Sequence, residues 1–496
     1  MKTLVIFPII IPLLTASICL VSNKMPRLQW FFVWFGNTAY FLIALIFLWT
    51  TYHGNYYSLQ VGNWQAPFGI TIVIDLFSSI MLVITSLLVF CSLLYTLSMI
   101  PREQFRLGYL SLIFFLMMGV SGAFTTGDLF NLYVWFEVML MSSFVLMAFG
   151  GEQRQLEGSI KYVILNLMSS AVFLASTGIL YGMVGTMNLA DLSIKLSMME
   201  QQYPKLIVSS LLLVAFGIKA GLFPLYFWLP ASYHTPPPGI SALFSGLLTK
   251  VGMYSIIRTF TLFYREIDTD IQNTLLIIAS LTMLIGVLGA VSQNEIRRIL
   301  SFHIISQIGY MLMGLALWTT AGIAGAIYFI VHNIIAKSNL FFISGIINEK
   351  TGSYYLKSQG NLYKELPILS ACFLCSALSL AGLPPLSGFV GKLALVIAGI
   401  NARTYITVFI SIVVSFLTLF SMTKIWIYTF WGLPNHQKEV SIVTDKNLFF
   451  AYSAVIILAL LTVFLGVFGE TFIVISEKSA QSLLQPLTYI EKVMEY

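Results

Sequence analysis

The stretch FGIKAGLFPLYFWLP, residues 216–230, places a lysine, a glycine and two prolines inside an otherwise apolar run. Proline does not continue a helix, and a charge in an apolar segment is costly unless it is paired or hydrated. The stretch therefore predicts a helix that breaks soon after Lys219, with the lysine beside the break. The segments around it indicate what such a break is for.

The composition predicts an all-α, polytopic membrane protein. Hydrophobic residues make up 58 % of the 496 residues and charged residues 9 %, whereas soluble domains carry about 25 % charge. About fourteen apolar runs of roughly 18 to 28 residues follow one another, each long enough to cross a membrane as a helix. Their centres lie near residues 12, 40, 83, 116, 139, 172, 215, 250, 282, 308, 334, 383, 416 and 460. Residues 1–496 are therefore predicted to form a single integral membrane domain.

The basic residues predict the orientation of the chain. The apolar run at the N-terminus is followed by Lys24 and Arg27, which is typical of a first span rather than a cleaved signal peptide. Short loops rich in Lys and Arg stay cytoplasmic. The loops after runs 1, 3, 5, 9, 11 and 13 hold most of these residues, namely Lys24, Arg27, Arg102, Arg106, Arg154, Lys161, Arg297, Arg298, Lys350, Lys357, Lys364, Lys438 and Lys446. Both termini are therefore predicted on the outer face.

Several classes of function find no support in the sequence. There is no Walker, Rossmann or His-Glu-x-x-His pattern, so we expect no enzyme, no cofactor and no catalytic metal. Cys372 and Cys375 lie in an apolar run without His or acidic neighbours, which favours packing over a metal site. The net charge of +6 mostly reflects the basic loops and does not indicate nucleic acid.

A few charged residues remain at membrane depth after the others are assigned to loops. A charge at a helix centre costs about 2.5–3.5 kcal/mol, so such residues should face protein or water and mark an ion or proton path. They are Asp75, Glu137, Lys219, Lys250, Lys337 and Lys392, with Arg258 and Lys424 nearer the helix ends. A structural ion pair is the alternative for Glu137. Asp128, at the start of the same run, is more typical of a helix N-cap.

A second stretch, LAGLPPLSGFVGKLAL at residues 380–395, repeats the combination of break and lysine. Pro384 and Pro385 precede Lys392 in it. Paired discontinuous helices are the best sequence indication of a transporter site, whereas a single kink can simply adjust packing. Two breaks, each with a buried lysine, favour a functional site.

Three further residues extend this path. Lys250 ends PPPGISALFSGLLTK, residues 236–250. His332 and Lys337 share one run, and a titratable histidine between buried lysines is a relay candidate, although a lone histidine is more often packed in a core. Burial disfavours a charged lysine and a nearby carboxylate favours it by about 4 kcal/mol at 4 Å and an effective dielectric of 20. Changing the separation of Glu137 and Lys219 could therefore load or unload a proton.

These stretches resemble a known family. The motifs are GAFTTGDLFNLYVWFEVMLMSS, KYVILNLMSSAVF, VGTMNLADLS, KAGLFPLYFWLPASYHTPPPGISALFSGLLTKVGMYSIIRT and LSLAGLPPLSGFVGKLAL. They resemble the antiporter-like subunits shared by Mrp cation/proton antiporters and respiratory complex I, over about residues 65–432. VGNWQAPFGITIVIDLFSS and HNIIAKSNLFF are more similar to the Mrp branch.

The resemblance implies a fold. It comprises fourteen spans with two inverted five-span repeats, roughly spans 4–8 and 9–13, in which spans 7 and 12 are broken. N-terminal helices occupy residues 1–64, and a C-terminal helix and tail occupy residues 433–496.

The resemblance also implies roles for the buried residues. Glu137 and Lys219 correspond to a coupled pair, Lys250 to the central relay lysine and Lys392 to the terminal lysine. His332 and Lys337 match positions on the connecting polar axis. One branch of the complex I relatives has glutamate where Lys392 stands, which weakens that one assignment.

The expected function is that of a secondary transporter subunit in the cell membrane. The family implies partner subunits in one complex that exchanges cytoplasmic Na⁺ for external H⁺. Few acidic groups lie at membrane depth and hard cations need oxygen ligands, which favours protons over Na⁺ in this chain. Asp75 is an accessory candidate whose alternative is a hydrogen bond between helices or subunits. Two alternatives stay open: a membrane-arm subunit of a complex I-like dehydrogenase, and a scaffold whose charges join helices.

Overall fold

The computed structural model describes residues 2–199, 202–432 and 447–494 of the chain. The predicted all-α class is confirmed. The N-terminal part and the first half contain α1 (Phe7–Val21), α2 (Pro26–Tyr52), α3 (Leu76–Met99), α4 (Arg102–Arg106), α5 (Tyr109–Thr125), α6 (Leu129–Met147), α7 (Gln153–Val184), α8 (Leu189–Ser197), α9 (Gln202–Ala220), α10 (Trp228–Ser232), α11 (Pro238–Leu243) and α12 (Thr249–Phe263). The rest contains α13 (Thr269–Ser292), α14 (Ile296–Ala316), α15 (Thr320–Thr351), α16 (Leu362–Glu365), α17 (Pro367–Ala381), α18 (Ser387–Asn401), α19 (Tyr405–Ile425), α20 (Phe449–Val467), α21 (Gly469–Leu484) and α22 (Leu487–Met494). Lys438 and Lys446, which the orientation prediction used, lie outside the described residues.

The predicted spans correspond to these helices with two differences. Twelve helices of the described part are long and apolar enough to cross a membrane. The run near residue 116 is α5, which has 17 residues, and the run near residue 383 is divided into α17 and α18. The number of spans therefore stays a prediction. In the described C-terminal part, α20 is followed by α21 and α22, where a helix and a tail were predicted.

A small antiparallel sheet precedes α3. Strand β1 (Tyr57–Gln60) pairs with β2 (Thr71–Ile74). Strand β2 is fully buried and leads directly into Asp75, the N-cap of α3. Helix α22 contacts this sheet, because Ser58 Oγ donates a 2.8 Å hydrogen bond to the carbonyl of Lys492. The C-terminal helix is thus tied to the start of the third span.

The most enclosed helices include those that carry Lys250, His332 and Lys337. In the segment Pro238–Phe263 the most apolar window is 100 % buried, compared with 33 % for α2. The corresponding value is 94 % for both α14 and α15. Outer helices expose large apolar side chains such as Phe31 on α2 and Phe416 on α19. Lipid therefore meets apolar surface, and the buried lysines lie in the protein interior.

Both predicted helix breaks are present and share one backbone pattern. Helices α9 and α17 end in AGLFPL at residues 220–225 and AGLPPL at residues 381–386. Gly221 has φ +84° and Gly382 has φ +93°, a left-handed conformation that glycine adopts without a Cβ penalty. The amide of Gly221 donates to the carbonyl of Gly217 at 2.8 Å, and that of Gly382 to Leu378 at 3.0 Å. The same glycine turn ends both helices.

A second feature recurs in the two halves. An isolated antiparallel bridge joins Asp128, before α6, to Asn188, and another joins Glu295, before α14, to Tyr355. The partners of each bridge enclose a pair of long helices, α6 with α7 and α14 with α15. The matched bridges and breaks support two structural repeats. Their inverted relation stays a prediction.

Candidate functional site

Glu137 and Lys219 lie on α6 and α9 without forming a closed ion pair. Glu137 is partly buried and Lys219 is 3 % exposed. Among the described residues neither Glu137 Oε1 nor Lys219 Nζ has a hydrogen-bond partner, although the two charges are near enough to interact electrostatically. The ammonium lies 5.5 Å from the centre of the Phe136 ring. The two side chains therefore attract each other without a direct hydrogen bond between them.

Side chains from neighbouring segments satisfy backbone groups that the first break releases. Trp228 Nε1 donates a 2.8 Å hydrogen bond to the carbonyl of Ile218, and the amide of Phe223 donates to Thr282 Oγ1 at 3.1 Å. Irregular backbone at membrane depth is tolerated only where it is buried in protein or faces a cavity. The break beside Lys219 is thus held in place by tertiary contacts.

Lys250 follows a π-helical turn, Phe244–Leu248, that the sequence analysis did not predict. The Lys250 ammonium donates to the carbonyl of Ser245 inside this turn. Gly246 allows close packing there, because a Cβ would lie 2.7 Å from Ser338 Oγ. Ser338 follows Lys337 in α15, so the two fully buried lysines occupy adjoining helices. π-Helical turns are frequent at functional sites.

Lys337 lies beside a buried histidine that the sequence analysis missed. Lys337 Nζ donates to the carbonyl of Leu300 on α14 at 3.2 Å. One turn later, His303 Nε2 is 2.5 Å from Ser421 Oγ. His303 and Gln307 are four residues apart in an apolar helix and both fully buried. That spacing of two polar residues was the available signal.

His332 and Lys392 meet at the second break. His332 Nδ1 is 2.8 Å from Ser387 Oγ, and Ser379 Oγ accepts a 3.1 Å hydrogen bond from the amide of Gly388. Ser379 lies in the last turn of α17, before the break, and Ser387 is the first residue of α18, after it. His332 on α15 therefore contacts both halves of the broken span.

Lys392 bridges the same break. Its ammonium donates to the carbonyl of Ala381 at 3.0 Å and to Ser415 Oγ at 3.1 Å, and it lies 4.8 Å from the Tyr310 ring centre. A cavity of about 370 Å³ borders the lysine and reaches the exposed Phe416. The buried lysines Lys219, Lys250, Lys337 and Lys392 are called the lysine row. Its last member, Lys392, thus lies between the protein centre and the lateral surface.

Unpaired polar atoms lie on α12 and α15, which carry Lys250 and Lys337, and on α14. In the part of the chain that the structure describes, they include Thr249 Oγ1, Ser306 Oγ, both side-chain atoms of Gln307 and of Asn333, and Nε2 of His332. Buried polar atoms in native proteins bind protein partners or water. These side chains are therefore candidates to bind water inside the protein.

Asp75 and Asp128 have different surroundings from the lysine row. Asp75 is not within the third span but caps its N-terminus, and its carboxylate is 2.7 Å from Arg258. This matches the alternative of a contact between helices. Asp128 Oδ1 accepts a 2.7 Å hydrogen bond from the amide of Asn131, so the predicted N-cap is confirmed.

A polar cavity of about 690 Å³ lies where α7, α11 and α14 begin. Glu295, His234 and Arg298 line it, and Arg297 Nη1 donates to the carbonyl of Pro236 at 3.0 Å. Burial, with Arg298 and Arg297 nearby, lowers the pKa of His234 to about 4. Burial raises the pKa of Glu295. Helix α11 begins at this cavity, and the same span reaches Lys250 twelve residues after Pro238.

Comparison with known proteins places the chain in a family. The family model described as "NADH:quinone oxidoreductase/Mrp antiporter, TM" matches residues 126–418. The chain belongs to this family. The D-type subunits of Na(+)/H(+) antiporters from Alkalihalophilus pseudofirmus and Bacillus subtilis are 44 % and 40 % identical to this antiporter-family chain, each over 100 % of both proteins.

Solved structures agree with this membership. A chain of the Mrp complex from Dietzia sp. has a TM-score of 0.92 and 31 % identity, with 100 % of both chains covered. A chain of respiratory complex I from Thermus thermophilus has a TM-score of 0.80 and 24 % identity, with 97 % of this chain and 99 % of that chain covered, and shares the fold. The segment matched by the Mrp antiporter family model contains Glu137, Lys219, Lys250, His332, Lys337 and Lys392. Asp75 lies outside it.

Proposed function

We propose that this chain is the proton-conducting subunit of a multi-subunit Na⁺/H⁺ antiporter. Protons move along a buried row whose members are Glu137, Lys219, Lys250, His332, Lys337 and Lys392. Their movement is coupled to Na⁺ efflux through the complex. The chain lies in the cell membrane with both termini on the outer face.

The observation that carries this proposal is a set of buried lysines without closed ion pairs. Lys219, Lys250, Lys337 and Lys392 are each at most 6 % exposed. Among the described residues Lys219 Nζ has no hydrogen-bond partner, and the other three ammonium groups donate only to carbonyl and hydroxyl oxygens. A structural charge is normally neutralised by a close partner of opposite sign. A lysine with neutral acceptors can instead lose and regain its proton with little rearrangement, as a relay requires.

The Glu137–Lys219 pair is the switch in this proposal. A closed ion pair stabilises the protonated lysine, and an open one does not. Lys219 immediately precedes the break, so a small movement of the loop after Ala220 changes its distance from Glu137. The pair in the structure is open, which is the state from which closure can load a proton.

The polar cavity supports an entrance for protons. It is lined by charged residues at the helix ends that the basic loops assign to the cytoplasm. The first turn of α11 borders it, and the same span continues to Lys250. Water in such a cavity brings protons to the start of the span that carries Lys250.

The lateral face that contains Glu137 supports partner subunits. Phe130, Val134, Met141 and Val145 are exposed along one side of α6, and Glu137 lies in the middle of that stripe. A carboxylate facing hydrocarbon is costly. A neighbouring membrane subunit that covers this stripe removes the cost, which fits the proposed complex.

Two alternatives give different results. For a complex I-like dehydrogenase, hydrogenase-like peripheral subunits would copurify with the chain; the relatives that match it over their full length are named as antiporter subunits. For a scaffold, loss of a buried charge would reduce assembly and activity in proportion.

The test uses the complete complex in membrane vesicles. Glu137→Gln or Lys219→Ala is introduced, assembly is checked on a native gel, and Na⁺-induced proton movement is followed with a pH-sensitive dye. Loss of exchange from a fully assembled complex supports the proposal. Unchanged exchange would place the coupled path in another subunit.

A further inference from the structure

Two polar residues, Tyr254 and Arg258, continue the face of α12 that carries Lys250. Lys250, Tyr254 and Arg258 are four residues apart, so each lies about 6 Å further along the helix on the same side. All three side chains are buried. The basic loops assign the end of this helix to the outer face. The row that reaches Lys250 therefore has a polar continuation toward that face.

The continuation ends in a buried ion pair. Arg258 Nη2 contacts both carboxylate oxygens of Asp75, at 2.8 and 2.7 Å, and donates to Tyr254 Oη at 3.1 Å. Tyr254 in turn donates to the carbonyl of Phe124 at 2.7 Å. The amide of Ser78 donates to Asp75 Oδ1 at 2.9 Å. These contacts together fix the position of the Arg258 guanidinium near the end of α12.

An aromatic residue from the C-terminal helix covers the ion pair. The guanidinium carbon of Arg258 lies 5.5 Å from the Tyr489 ring centre, 5.4 Å from that of Tyr254 and 5.7 Å from that of Phe77. Tyr489 belongs to α22 and is 3 % exposed. Its hydroxyl has no hydrogen-bond partner within the described residues. The ring, rather than the hydroxyl, is what encloses the arginine.

Helix α22 is attached as a cover. Ser58 Oγ and Gln60 Nε2 donate to the carbonyls of Lys492 and Val493, at 2.8 and 3.0 Å. The helix buries Tyr489 and neighbouring apolar residues on one side and leaves Lys492 exposed on the other. Because it follows the spans and is only eight residues long, it can move without unfolding a membrane helix.

An arginine at this position blocks protons. Guanidinium keeps its charge at all physiological pH values and cannot accept another proton, so it does not relay one. Its positive charge also repels a proton that arrives from Lys250. While the ion pair is closed, the Asp75 carboxylate is paired with Arg258 and does not accept a proton. A proton leaves by this route only when the two side chains separate.

We propose that the Arg258–Asp75 ion pair, covered by Tyr489 of α22, is the closure at the outer end of the proton route through Lys250. This rests on the proposed proton-conducting function and adds a place of release. Arg258 and Asp75 act as positioning residues that keep the route shut between transport steps.

The test measures proton leak rather than exchange. The complete complex is reconstituted in liposomes without Na⁺, a pH gradient is imposed, and its decay is followed with an internal pH dye. Tyr489→Ala should raise the leak roughly tenfold, because the ion pair loses its cover. Tyr489→Phe is the matched control and should leave the leak unchanged, because it keeps the ring. Adding Lys250→Ala to Tyr489→Ala should return the leak to the wild-type rate.

Two results would overturn the closure. A second variant, Ser58→Ala with Gln60→Leu, removes the two hydrogen bonds that attach α22 and serves if Tyr489→Ala assembles poorly. The first such result is a wild-type leak rate in both variants. The other is a leak that persists when Lys250 is removed. Exchange separates this from the proposed function: if Glu137→Gln abolishes exchange while the α22 variants stay tight, only the closure is wrong.

Discussion

The open Glu137–Lys219 pair predicts strongly non-additive mutants. No contact between the two charges is closer than 4.0 Å in the described residues. At an effective dielectric of 20 their attraction is then below about 4 kcal/mol and falls to about 2 kcal/mol at twice that distance. We therefore expect a coupling of about 2–3 kcal/mol, which corresponds to roughly 30- to 150-fold in transport rate.

The assay is a double-mutant cycle on Na⁺-dependent proton movement in vesicles that contain the assembled complex. Glu137→Gln and Lys219→Ala should each reduce exchange by about that factor, and the double variant should be no worse than the poorer single one. In the proposed switch each charge acts only through its attraction to the other. The double variant therefore loses the same single interaction as each single variant.

The chain offers a matched control for this cycle. Glu157 and Lys161 form a 2.5 Å ion pair on α7, with 64 % and 50 % of their side chains exposed. Both residues also border the polar cavity, so the control is additivity: the effects of Glu157→Gln and Lys161→Ala on exchange should add, because an exposed pair contributes little coupling. Additive losses at Glu137 and Lys219, each independent of the other, would refute the switch.

Three further outcomes are expected. Ser387→Ala removes the Nδ1 partner of His332 and should slow exchange without loss of assembly; a wild-type rate would exclude a role for that contact. Asp75→Asn leaves Arg258 buried without a counter-charge, and thermal unfolding of the purified complex should show a loss of about 3–5 kcal/mol. The lowered pKa of His234, about 4 against about 6.5 in an unfolded chain, means that the unfolded state binds a proton first as pH falls. Stability should therefore drop between about pH 6.5 and 4 in the wild type and less in His234→Gln, as measured by melting temperature against pH.

The residues of the proposed proton row could be found from the sequence because charge is rare in apolar segments. Lys219 and Lys392 stood out beside prolines, and both helices break near these lysines. The prolines indicated each break, and the structure adds how each helix ends, in a left-handed turn at Gly221 and Gly382 that glycine adopts without penalty. Whether these residues conduct protons is a separate question that the proposed experiments address.

Other features depend on contacts between segments far apart in the chain. The pairing of Asp75 with Arg258 joins residues 183 positions apart, and neither sequence neighbourhood indicates the other. His303 gave a weak signal, because one histidine in an apolar run is usually a packed core residue. The π-helical turn before Lys250 has no proline to mark it, and the close packing of its Gly246 against Ser338 is seen only in the tertiary structure.

The sequence by itself determined the class of protein, the approximate positions of the long apolar helices and the two broken helices. The physical reason is that hydrocarbon requires long apolar helices and penalises every charge and every free backbone group within them, so exceptions are visible residue by residue. Only the tertiary structure decided which exceptions meet. It left Glu137 and Lys219 without a closed ion pair and packed the π-helical turn before Lys250 against the helix that carries Lys337. It also closed Arg258 onto Asp75, because side-chain distances depend on how helices pack and not on their order along the chain.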